Sequence, residues 1–117
     1  MLGFEIYIFP KSHYIAHTKM WEREERWKHF LAAWATSDGG YEWIDDLVKK
    51  GVAFELPSDE VLLLLYKTKL SAIKHIFKGN IPEPKGPGVV RDIEINESRI
   101  SECSDDEELI IEAWDQS

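Results

Sequence analysis

The sequence predicts an α+β fold: a small antiparallel-rich sheet, made of an N-terminal strand plus C-terminal strands, packed against about three helices. Three observations predict it. An apolar alternating run, "GFEIYIF", opens the chain; helical periodicities fill its middle; short β-branched runs bounded by turn residues close it. With 117 residues there is chain for one domain around one core.

Residues 3–9 read as an interior strand, because Phe4, Ile6 and Ile8 alternate with Glu5, Tyr7 and Phe9, and both sets are largely apolar. Pro10 ends it. From about 18 to 36, Met20, Trp27 and Trp34 fall seven apart with Phe30 and Leu31 between them, the stripe of an amphipathic helix. Glu22 with Arg26, and Glu24 with Lys28, support its polar face. A second helix is expected over about 39–50, with Asp38 as candidate N-cap, Tyr41, Ile44, Leu47 and Val48 as its apolar stripe, and Gly51 at the C′ position. "VAFELP" suits a short edge strand or an extended connector. A third helix is expected over about 59–78, capped by Ser58, rich in leucine and stopped by Gly79.

"NIPEPKGPG", residues 80–88, is a loop. Beyond it "VVRDIEI" reads as a strand with Val89, Ile93 and Ile95 inward, "NES" as a turn, and "RISEC" as a partner strand. The last segment admits two readings. As a strand, Leu109, Ile111 and Ala113 share a face; as a helix, Ser104 and Glu107 form a capping box with four acids at its positive end.

Charge divides the chain more sharply than structure does. Residues 1–88, the neutral helical part, hold twelve acids and twelve bases. The acidic β-rich segment 89–117 holds ten acids against Arg91 and Arg99, and so supplies the entire net charge of −8. Such asymmetry favours a basic protein partner and disfavours nucleic acid, whose phosphates it would repel. A single cysteine, Cys103, fits a reducing compartment and reads as a packing residue; cytoplasmic location follows as the expectation. The N-terminus has a strand pattern rather than that of a signal peptide, and the longest apolar run, "VLLLLY", is far too short to span a membrane.

No catalytic motif emerges, and the expectation is a non-enzyme without cofactors or metal. Adjacent acids such as Asp45 and Asp46, or Asp105 and Asp106, diverge by about 100° on a helix and make poor dyads. The run "SDDEE" lacks the alternate spacing and central glycine of a calcium loop. His13 and His17 have the i,i+4 spacing of a helical metal pair, with Glu24 and His29 downstream, but residue 14 is tyrosine where a zinc hydrolase carries its glutamate. A metal-binding protein or metal-dependent enzyme using His13 and His17 is therefore one alternative.

The acidic end offers the stronger candidate. Glu102, Asp105, Asp106, Glu107, Glu108, Glu112 and Asp115 surround an apolar strip and Trp114, an anchor of the kind enriched at interfaces. These eight residues form the candidate partner-binding site; the helical face around Trp21 and Trp43 is the competing surface. In size, charge and lack of catalytic groups, the chain resembles the bacterial immunity proteins that neutralise toxins, including those of contact-dependent growth inhibition. That resemblance implies binding to a cognate toxin, commonly a basic nuclease. A non-catalytic adaptor or regulatory subunit docking on a basic protein is the other alternative.

Overall fold

The computed structural model describes residues 3–14, 28–84 and 88–116. β1 (Gly3–Pro10) leads through a 3-10 turn (Lys11–His13) toward β2 (Ala32–Ser37), α1 (Glu42–Lys49), β3 (Ala53–Leu56) and β4 (Leu63–Lys69). Then come α2 (Leu70–Ile73), prolonged by a 3-10 turn over Lys74–Lys78, β5 (Val90–Ile95), α3 (Glu97–Ser101) and β6 (Glu108–Asp115). The strands form one antiparallel sheet in the order β3-β4-β6-β1-β2-β5. The α+β expectation holds, with the first and last strands paired side by side.

β1 is interior, as its two apolar faces require. It pairs β6 with Ile6 opposite Ala113 and Ile8 opposite Ile111, and β2 with Ile6 opposite Trp34. Phe4, Ile6, Ile8, Trp34, Tyr66, Leu109, Ile111 and Ala113 make up one buried face of the sheet. Ile44 of α1, Leu70 and Ile73 of α2, and Ile76 and Phe77 after it complete this core. Each such aliphatic side chain stabilises the fold by about 1.5–3 kcal/mol on transfer from water.

Several expected elements took other forms. Residues 32–37 are strand, not the end of a helix; Trp34 faces the core and its ring meets Trp43 at 5.9 Å. Met20, Trp21 and Trp27, with the ion pairs around them, lie outside the described residues. The leucine-rich run is β4, flanked by β3 and β6, and the helix arrives only at Leu70. Between two strands, with Leu63, Tyr66 and Thr68 buried, the run gains more from the ladder than from the modest helix preference of leucine. Ser58 does accept the Glu60 amide at 3.2 Å, but in a turn rather than a helix cap. The described residues among the first 88 are thus not mainly helical.

α1 begins at Tyr41 without a side-chain cap, so Asp38 does not serve as one. Gly51 follows with φ +76°, the left-handed conformation expected of it. Gly79 closes the turn after α2 in the same way. β3 is an edge strand, as "VAFELP" allowed. β5 is the other edge, and Val89 just before it and Ile93 on it are exposed rather than inward. "RISEC" lies in and after α3, where Asn96 Oδ1 accepts the Arg99 amide at 3.0 Å, an N-cap that overrides a strand reading.

Candidate functional site

The terminal segment resolves as strand β6, not helix. Ser104 and Glu107 form a turn in place of the capping box, with the Glu107 amide donating to the Ser104 carbonyl at 3.0 Å. The acidic loop before β6 has structural work: the carbonyls of Glu107 and Asp105 accept the Leu70 and Ser71 amides at 2.9 and 3.0 Å, at the start of α2. Asp105 also accepts from Lys74 Nζ at 2.8 Å. That bond first, then the lysine charge, holds its carboxyl below the usual range.

The eight expected partner residues do not form one patch. Glu112 is fully buried, 0% exposed, on the sheet face opposite the main core, and so is not available for docking. It accepts the Tyr14 hydroxyl on Oε2 and the Trp114 indole N–H on Oε1. Glu108 lies between Lys67 at 3.4 Å and Lys11 at 3.8 Å. Trp114 and Asp115 are half-buried at the far end of the eight-residue strand from Glu108, about 20 Å away. Glu102, Asp105 and Asp106 are exposed beside α3 and α2, with Glu107 half-buried behind them.

A different acidic surface emerges on the same sheet face, where β1, β2 and β5 meet. Ala33 and Ala35 stand opposite Tyr7 and Glu5 across the β1–β2 ladder. Two alanines there leave a hollow that larger side chains would fill, a cleft of about 240 Å³. Glu5, Tyr7 and Phe30 wall it on one side, and Asp92 and Glu94 on the other. Tyr7 donates to Glu5 Oε2 at 3.1 Å. Phe30 is held from behind, with the Arg99 guanidinium 5.6 Å from its ring centre and donating to its carbonyl at 2.9 Å.

The acids of β5 reach this cleft because the strand carries a bulge. Ala33 pairs Glu94 and Ala35 pairs Arg91, so Asp92 and Ile93 together oppose Trp34. Asp92 has φ +55°, a left-handed conformation that aspartate tolerates better than most residues. An open hollow continues past Phe30 and Glu94 to Asn96, Glu97 and Ser98. Glu5, Asp92 and Glu94 thus line the cleft with two aromatic rings, and Glu97 lines the adjoining hollow that shares Phe30 and Glu94 with it; cleft and hollow together make the groove. Among the described residues the one base on this face at the margin of the cleft is Arg91, opposite Ala35, and no ion pair engages Asp92, Glu94 or Glu97. A groove of this make-up accepts a cationic group, whose alkyl stem can lie on Tyr7 and Phe30.

The metal alternative finds little geometry. His17 and Glu24 lie outside the described residues. His13 stacks on His29, ring centres 4.8 Å apart and planes 20° from parallel. A metal must lie in the plane of each imidazole it binds, and stacked planes do not meet at bonding distance. Among the described residues no three histidine, cysteine or acidic side chains converge on a metal position. Cys103 shares a hollow with these histidines, but burial first, then Glu107 and Glu102, push its thiol up and away from a reactive thiolate. Its Sγ donates to the Arg99 carbonyl at 3.5 Å beside the core, as a packing residue would.

The sequence reading missed Glu5, Tyr7, Phe30, Asp92, Glu94 and Glu97 as a site. The signal within reach was the alternation of β1, which puts Glu5 and Tyr7 on one side, together with the acids of "RDIEINE". No protein-family model, curated protein or solved structure matches the chain. Among the described residues no helix is long and apolar enough to cross a membrane.

Proposed function

We propose that this protein is a non-catalytic binding protein of the immunity type, which neutralises a basic toxin domain, such as a nuclease, in the cytoplasm. The observation that carries the reading is the set of acids Glu5, Asp92, Glu94 and Glu97 around Tyr7 and Phe30, which among the described residues outnumber the one base at its margin, Arg91 opposite Ala35. Acids unpaired at the surface accelerate encounter with a cationic partner, and aromatic walls slow its release. Relative to the sequence expectation, the docking surface moves from β6 to the β1–β2–β5 side. The acids of the terminal loop contribute long-range attraction, while Lys74, Lys11 and Lys67 offset part of their charge.

Affinity capture from the native host, at low and moderate salt, tests this with two baits: the wild type and the Asp92→Asn/Glu94→Gln/Glu97→Gln variant. The wild type recovers a basic protein and inhibits its activity at one-to-one stoichiometry. The variant recovers it with affinity about tenfold weaker. Equal recovery by both baits, or a captured protein whose activity is unaffected, would overturn the immunity reading.

A further inference from the structure

We infer that the partner's basic segment binds as an added strand along β5, with its cationic side chains seated in the acidic groove. The inference rests on the groove reading and names how that groove is filled. Among the described residues β5 is hydrogen-bonded to a strand on one side only, β2, and no described strand pairs with its other backbone edge. Arg91, Asp92, Ile93 and Glu94 on it are all exposed, and Val89 beside it is 58% exposed. An open edge flanked by apolar side chains is a template for β-addition. Native sheets block such edges with bulges and charge, and β5 has both, so the occupant must match them. Asp92, Glu94 and Glu97 would face their own copies across a β5–β5 pairing of two chains that each carry −8, which disfavours a second copy. A basic strand has the opposite balance. In an added antiparallel strand every second side chain falls on the face of Glu5, Glu94 and Arg91, where Asp92 at the bulge keeps the balance acidic, and the others run beside Val90 and Ile95. The recognised pattern is therefore alternating basic and apolar residues in extended conformation.

Two peptide probes separate strand addition from charge alone: a ten-residue peptide of alternating lysine and valine, and one with proline in place of each valine. Both carry the same charge, but proline cannot donate to a ladder. Calorimetry on the full chain should show the lysine–valine peptide binding at least tenfold tighter, and the Asp92→Asn/Glu94→Gln variant losing that binding. Hydrogen exchange should slow at the amides of residues 90–95. Equal affinity for the two peptides sinks strand addition and leaves the groove reading standing. Binding of neither peptide sinks both. A dimer of the chain alone, abolished by Ile93→Lys, would place a second copy on this edge and overturn the inference.

Discussion

The Tyr14 hydroxyl donates to Glu112 Oε2 at 2.5 Å, joining residues 98 positions apart at the middle of the sheet. Glu112 sits between Tyr7 of β1 and Leu65 of β4, fully buried, with Trp114 Nε1 on its other oxygen at 3.2 Å. A carboxyl group in that position ties β6 to the segment after β1, and removing Tyr14 takes away one of its hydrogen bonds. Tyr14→Phe is expected to destabilise by about 1–3 kcal/mol, and Glu112→Gln by less, because the amide oxygen still accepts the Trp114 indole N–H and the amide NH2 can donate to the Tyr14 hydroxyl oxygen. Urea unfolding of both single variants and the double variant measures the coupling. Strict additivity would show that the bond contributes nothing.

Tyr66 gives the fold an alkaline limit. Its hydroxyl is pushed up from 10.0 to about 12, by burial first and then by the negative charges of Asp45 and Glu55 and by Tyr41. The fold favours the neutral phenol. Its contribution is fully present below pH 10, the unfolded value, and is lost as pH rises through about 12. Phenolate absorbance of the wild type should show one of the four tyrosines titrating last, near 12 and together with unfolding. Tyr66→Phe should remove that step and flatten stability over the same window. Four tyrosines titrating together near 10 would rule the assignment out.

At the acid end the sign reverses. The Lys74 hydrogen bond and charge depress the Asp105 carboxyl, so its contribution is present above the unfolded value and lost as pH falls through the folded one. Both side chains are exposed, and salt screens the pair. Lys74→Met should return the Asp105 titration, followed by NMR, to the ordinary aspartate range while thermal stability at neutral pH barely moves. An unchanged titration would dissociate the two residues.

What the sequence made legible depended on whether local and tertiary demands agreed. At β1 the alternation, the β-branched residues and Pro10 all favour an interior strand, and that is what forms. At α1 the apolar stripe and Gly51 agree likewise. "LLLLY" and "AAWATS" read as helix because leucine and alanine favour it, but their neighbours in the sheet decide otherwise. The charge asymmetry was plain in the composition. The groove was not, since it needs the register that sets Ala33 and Ala35 opposite Tyr7 and Glu5, and a bulge that no local rule foretells.

That bulge can be tested on its own. Asp92 holds φ +55°, which costs a β-branched side chain about 1–2 kcal/mol and glycine almost nothing. Asp92→Gly should fold with near wild-type stability, and Asp92→Val should lose about 1–2 kcal/mol in thermal or urea unfolding. If valine is as stable as glycine there, the strand does not take the left-handed turn.

The groove and the acidic loop make separable claims on a cationic partner. Two variants each remove three negative charges: Asp92→Asn/Glu94→Gln/Glu97→Gln in the groove, and Asp105→Asn/Asp106→Asn/Glu108→Gln at the loop. Net charge falls equally, so any difference between them is local. Asp105 and Glu108 already share their charge with Lys74, Lys67 and Lys11, at 2.8, 3.4 and 3.8 Å. The groove acids have no such partner among the described residues and face a cavity. Charges farther from the bound cation than the screening length, about 8 Å at physiological ionic strength, contribute mainly to encounter. With the lysine–valine peptide as probe, the groove variant should lose at least tenfold in affinity, chiefly through faster release, and the loop variant about threefold or less, through slower association. The loop variant should also lose stability, because its acids lie against the start of α2. Equal losses of affinity would mean that the protein attracts cations by net charge alone, and that the groove has no special claim on them.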